Sequence, residues 1–119
     1  MILLNTLSGK KEPLPRTKGK PINLFVCGPT VYDYLHIGNA RTYLVFDAFV
    51  KYLRSQGIKV FYLQNITDID DKIIARAAEE GVKLEEVAAK FTRVYFQNMK
   101  TLNIPAVDKY APATEFIPE

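Results

Sequence analysis

Residues 22–39 read Ile22-Asn-Leu-Phe-Val-Cys-Gly-Pro-Thr-Val-Tyr-Asp-Tyr-Leu-His-Ile-Gly-Asn39. The apolar run at the start predicts a buried strand over residues 22–27, broken by Gly28-Pro29-Thr30. His36-Ile37-Gly38 stands where an amphipathic segment begins. That segment predicts a helix from about Ile37–Asn39 to Gln56. Phe46, Phe49, Val50 and Leu53 share one face, extended by Tyr43, while Asp47, Lys51 and Arg54 fall on the other. Gly57 is placed to end it. A second strand is expected over residues 58–64. Strand, tight turn, helix and strand in this order form a parallel crossover, so the fold class is α/β with a Rossmann-like parallel sheet.

Outward from this unit the pattern continues in both directions. Residues 2–5 predict a short strand. Residues 8–21, with Gly9, Pro13, Pro15, Gly19 and Pro21 among charges, read as an exposed connection. Downstream, Thr67 or Asp68 is placed to cap a helix that runs to Glu80 and stops at Gly81. A third helix is expected over about 84–102, with Leu84, Val87, Phe91, Val94 and Tyr95 inward. From Asn103 onward the chain is punctuated by Pro105, Pro112 and Pro118, and it reaches Glu119 with no terminating element. Two parallel strands are marginal alone, so the chain reads as the first part of a larger sheet.

Composition narrows the classes. With 119 residues, 48% of them hydrophobic, the chain suits one small domain with a real core. No apolar run approaches the ~20 residues of a membrane span, and the first residues carry no signal-peptide pattern. The single cysteine, Cys27, excludes an internal disulfide framework and fits a reducing, cytoplasmic setting. Net charge is +3. Lys10, Lys11, Arg16, Lys18 and Lys20 gather against one acid, Glu12, and suit either a solvated loop or a phosphate backbone.

Four groups of residues are candidates for chemistry. Cys27 ends a parallel strand, the edge at which open α/β sheets bind ligands. Its thiol is there either as a zinc ligand or as a small buried hydrophobe. His36 and Asn39, three apart on a first helical turn, share a face and both offer N–H donors to phosphate oxygens, while Gly38 lets a base or ribose approach the backbone. The alternative leaves His36 facing solvent. Asp68, Asp70 and Asp71 fit a magnesium site or a complement to a helix dipole. Tyr32, Asp33 and Tyr34 lie in the turn and either touch a ligand or pack.

The run Val26-Cys-Gly-Pro-Thr-Val-Tyr-Asp-Tyr-Leu-His-Ile-Gly-Asn-Ala-Arg-Thr closely resembles the first signature of the cysteinyl-tRNA synthetase family, and Gln64-Asn-Ile-Thr-Asp-Ile-Asp-Asp-Lys-Ile-Ile-Ala-Arg-Ala resembles its second. The spacing between them matches, and the tail from Leu102 to Ile117 resembles the family's entry into an inserted domain, which implies that residues 1–102 are the N-terminal half of the nucleotide-binding catalytic domain and 103–119 the start of a connection to that inserted domain. The resemblance implies a class I aminoacyl-tRNA ligase acting on cysteine, ATP with magnesium, and cysteine tRNA. It implies ATP binding by Pro29, Thr30, Tyr32, His36, Gly38 and Asn39, with His36 and Asn39 catalytic. It further implies substrate cysteine at Cys27, Gly28 and Thr67, and zinc on Cys27. Two departures accompany it. Asn39 replaces the histidine that usually closes the His-Ile-Gly-His motif. The remaining zinc ligands, the Lys-Met-Ser-Lys-Ser-type loop and the anticodon-binding region fall outside these 119 residues. The chain is therefore expected to be inactive alone, as a piece that needs the C-terminal part of the same enzyme. Alternatives are the related cysteine ligase of mycothiol biosynthesis and a non-catalytic nucleotide-binding paralogue.

Overall fold

In chain order the elements are β1 (Ile2–Asn5), β2 (Lys10–Pro13), β3 (Ile22–Val26), α1 (Ile37–Ser55), β4 (Val60–Ile66), α2 (Asp71–Glu80), α3 (Leu84–Thr101) and β5 (Lys109–Pro112), with a 3-10 turn at Ala113–Glu115. The computed structural model describes residues 1–15 and 19–117. Arg16 and Lys18 of the basic cluster, and Pro118, lie outside the described residues.

Strands β3, β4 and β5 form one parallel sheet with β4 in the centre. Ile22 pairs with Val60 and Val26 with Gln64; Leu63 pairs with Lys109 and Ile66 with Pro112. Side chains alternate along a strand, and on β4 that buries Val60, Tyr62, Gln64 and Ile66 on one face. All three helices pack there. Val50 and Leu53 of α1 meet Val26, Val60 and Tyr62. Ile73 and Ala77 of α2, with Val87, Phe91, Tyr95 and Met99 of α3, meet Ile66. The opposite face, with Phe25 and Phe61, is open.

The helices end alike. Gly57, Gly81 and Asn103 each adopt positive φ. In each case the next residue's N–H reaches five residues back, as Ile58 to Leu53 O, Val82 to Ala77 O and Ile104 to Met99 O, all 3.0 Å. This closure satisfies carbonyls that a helix end leaves orphaned.

Several expectations need correction. Residues 8–21 are not all connection, because β2 pairs antiparallel with β1. Strand β3 stops at Val26, its one buried residue, with Ile22 and Leu24 half-buried and Asn23 and Phe25 exposed. The second strand is shifted to 60–66, since the closing turn of α1 occupies Ile58. Helix α1 ends at Ser55 with Gln56 as its cap. Helix α2 is capped by Asp70, whose carboxylate accepts from Lys72 N at 2.9 Å, and not by Thr67 or Asp68. Helix α3 ends at Thr101, and Ala88 and Met99 belong to its inner stripe while Val94 is half-buried.

Two corrections concern folding energetics. Asp47, placed on the polar face by spacing, is 3% exposed. Its carboxylate accepts from Ala106 N at 2.9 Å and pairs with Lys51 Nζ at 2.7 Å. Second, the Pro-rich tail folds back as β5, a third parallel strand. Asp108 fixes it there: its carboxylate accepts from Tyr62 N at 2.7 Å and Arg54 Nη2 at 2.6 Å, and its own N–H donates to Tyr62 O at 2.9 Å. Pro112 closes a strand at the sheet edge, where a missing donor is tolerated.

Four tyrosines meet in the core. Burial pushes the hydroxyls of Tyr43 and Tyr62 from the ordinary value of 10 up to about 12, and Tyr95 and Tyr110 are raised as well. The unfolded chain therefore releases these protons first. The stability they represent is intact below about pH 10 and is lost as pH rises towards 12. Cooperative alkaline unfolding is expected above pH 10, with tyrosinate absorbance rising together with loss of far-ultraviolet dichroism. Ionisation spread over lower pH, with the fold intact, would contradict this.

Candidate active site

The site is built at the carboxyl ends of β3 and β4. Beyond the regular strands, Thr67 N donates to Pro29 O at 2.9 Å and Val31 N to Thr67 O at 3.1 Å, so Thr30 and Thr67 continue the parallel pairing. Asn65 crosses the gap. Its Oδ1 accepts from Gly28 N at 2.8 Å and its Nδ2 donates to Thr67 Oγ1 at 3.1 Å. Gly28 must lack a side chain here, because a Cβ would lie 1.6 Å from Asn65 O. Asp68 secures the outer side, accepting from Thr114 N at 3.0 Å and Thr114 Oγ1 at 2.5 Å.

From this platform the chain turns through Tyr32–Leu35 into α1. His36 is the N-cap, with extended backbone, and its Nδ1 accepts from Gly38 N at 3.1 Å. An accepting Nδ1 carries no proton, which leaves Nε2 as the donor nitrogen of the ring. The rest of the turn leans on α2 and α3. Lys72 Nζ sits 5.3 Å over the Tyr32 ring, and Tyr34 meets the edge of Phe91 at 5.5 Å. Asp33 faces Arg76 at 3.8 Å.

A cavity of about 300 Å³ opens between platform and helix. Gly28, Pro29, Thr30, Tyr32, His36 and Asn39 all line it. Cys27, Gly38 and Thr67 border these residues without lining it. Cys27 is exposed, its thiol donating to Gly28 O at 3.6 Å, so it is not the small buried hydrophobe that a lone cysteine suggests. Among the described residues no group of three His, Cys, Asp or Glu side chains is arranged to hold a metal ion. Asp70 is used as a cap and Asp68 as a tether, against a magnesium site at Asp68, Asp70 and Asp71.

Sequence reasoning missed Asn65, Lys72 and Tyr95. Tyr95 looked like core; it is 2% exposed and still lines the cavity. Its hydroxyl donates to Gln64 Oε1 at 2.7 Å. Asn65 and Lys72 stand in the second signature run, but their places in the site depend on Gly28 and Tyr32, partners distant in sequence.

Comparisons with known proteins show the family and the fold. The family model of the class I (C) tRNA synthetase catalytic domain matches residues 13–119. The chain is 49% identical over 119 residues to the cysteine–tRNA ligase of Thermoplasma volcanium, covering all of this chain and 26% of that protein. It is 53% identical over 109 residues to that of Mycoplasma mycoides, covering 92% and 24%. The chain thus spans about a quarter of the length of the curated relatives it matches. Among solved structures, a Mycobacterium tuberculosis methionyl-tRNA synthetase bound by methionyl-adenylate superposes with a TM-score of 0.74 at 24% identity, over 80% of this chain and 19% of that one. That likeness shows the Rossmann-like α/β fold. With all but its first twelve residues matched by the family model, the chain belongs to the class I (C) tRNA synthetase catalytic-domain family.

Proposed function

We propose that this chain supplies the nucleotide-binding edge of an aminoacyl-tRNA ligase that activates cysteine with ATP and transfers it to cysteine tRNA in the cytoplasm. The observation that carries the reading is His36 capping α1 with its Nε2 proton free, on the same cavity as Asn39 and the Gly28–Thr30 platform. Anionic phosphates are favoured at such a helix start.

In the first step a carboxylate oxygen of cysteine attacks the α-phosphorus in line. The bond from that phosphorus to the bridging oxygen breaks, and pyrophosphate leaves. His36 Nε2–H and the Asn39 carboxamide steady the charge that develops on the phosphate oxygens, with magnesium travelling on the nucleotide. Pro29, Thr30 and Tyr32 shape the nucleotide side of the cavity, and Gly38 keeps the helix start open to it. Gly28 and Thr67 border the place for the amino acid. In the second step a hydroxyl of the tRNA's terminal adenosine attacks the activated carbonyl and AMP departs.

Zinc fits this chain only as a shared ion. Cys27 is accessible and offers one thiolate, and the other ligands would come from the remainder of a full-length polypeptide. Zinc bound there supplies selectivity for a thiol over serine's hydroxyl.

The test joins residues 1–119 to the remaining sequence of the Thermoplasma volcanium relative and measures cysteine-dependent ATP–pyrophosphate exchange. Exchange is expected, and His36→Ala should lower it about a hundredfold. Asn39→His should keep or raise it; a large loss would show that Asn39 does not stand in for a histidine. Zinc in the joined protein should fall away on Cys27→Ala. The 119-residue chain alone is expected to show no cysteine-dependent exchange.

A further inference from the structure

Helix α1 carries two apolar stripes on opposite sides. Tyr43, Val50 and Leu53 face the sheet. Ile37, Leu44, Val45, Ala48 and Tyr52 recur at helical spacing on the far side, and Val45 and Tyr52 are 58% and 52% exposed. A helix apolar on both sides belongs in an interior. The open sheet face, with Phe25 60% exposed, points the opposite way, beyond the thickness of the α1 layer and the sheet. Parallel sheets are covered on both faces.

We propose that the outer stripe of α1, centred on Val45, Ala48 and Tyr52, is a docking surface for the rest of a full-length polypeptide of this family. The two apolar surfaces decide the occupant. A second copy of this chain, packed through one self-complementary patch, covers one of them and leaves the other in water. The curated relatives carry about three times as much further chain as this one spans, enough to cover both. The stripe holds one charged residue, Arg41, which none of the described residues pairs with a carboxylate. The occupant is thus an apolar surface with an acidic group near the start of α1. This inference rests on family membership and on no catalytic assignment, so it is read by association, separately from activity.

The experiment co-expresses the tagged 119-residue chain with the polypeptide that follows the aligned stretch in the Thermoplasma volcanium relative, and measures the amount captured. Val45→Glu and Tyr52→Glu should each reduce capture at least tenfold. Both positions are exposed, so circular dichroism and the melting of the chain alone should stay unchanged. Ile74→Glu, on an exposed apolar position of α2, should leave capture intact. Capture insensitive to both stripe variants, or absent altogether, overturns the proposal. So does light scattering that shows the chain alone to be a dimer broken by Val45→Glu, which would make a second copy the occupant.

Discussion

Gly28→Ala is expected to destabilise the chain by about 3 kcal/mol or more. The added Cβ would meet the Asn65 carbonyl oxygen at 1.6 Å and its carbon at 2.8 Å. Both are backbone atoms of the central strand. They cannot rotate away as a flexible side chain does, so β3 and β4 must separate at their carboxyl ends. The bond from Gly28 N to Asn65 Oδ1 goes with that separation, and the pairing of Thr30 with Thr67 follows. Urea unfolding monitored by far-ultraviolet dichroism measures the effect. Gly57→Ala is the comparison: nothing lies within 4 Å of its Cβ, but φ is +73°, so the cost is about 1 kcal/mol of left-handed backbone strain. A Gly28→Ala midpoint as mild as that of Gly57→Ala would show that the strand ends part easily and that the platform is not held as described.

Asp47→Ala should cost about 3 kcal/mol. The carboxylate bridges α1 to the segment that leads into β5, and its partner Ala106 is itself buried. Truncation leaves the Ala106 N–H orphaned, worth about 1–3 kcal/mol, and removes a charge-assisted pair whose acidic side is out of water. Lys51 is half exposed, so water recovers part of its loss. Asp47→Asn keeps an acceptor for Ala106 and should lose about half as much. Hydrogen exchange localises the effect: amides of β5 should lose protection before those of β3. Uniform loss across the sheet would contradict the bridge.

The crossover at the centre was legible because its signals are local. The apolar run at Ile22–Val26, the helical spacing through α1 and the glycine stop at Gly57 each act within a few residues. The same holds for α2 and α3. The shift of β4 by two residues came from the closing turn of α1, whose 6→1 bond reaches Ile58. Strand β5 was hidden for a different reason. Lys109–Pro112 has little strand propensity, and it is a strand because Asp108 and Arg54 hold it against β4. Asp47 was misplaced because spacing on one helix cannot show what covers its polar side.

The site divides in the same way. His36, Asn39 and Gly28–Thr30 were legible as a motif because a helix start after a strand is a local device. That these residues line one cavity depends on the Asn65 and Thr67 bonds, which reach far back along the chain to Gly28 and Pro29. Tyr95 enters the same cavity from α3, placed there by the packing of the helical hairpin. Cys27 shows the limit of composition, since a lone cysteine is usually buried and here the end of β3 turns it outward.

By itself the sequence determined the crossover, the three helices, two of them with their glycine stops, and a signature specific enough to point to one family. Each of these is written in short-range spacing and backbone preference. Tertiary structure alone decided that the tail is a third strand, that Asp47 lies inside, that Gly28 admits no Cβ, and that α1 presents a second apolar stripe that the described residues leave exposed. Those depend on which distant atoms come within a few ångströms, and only the packed sheet brings them there.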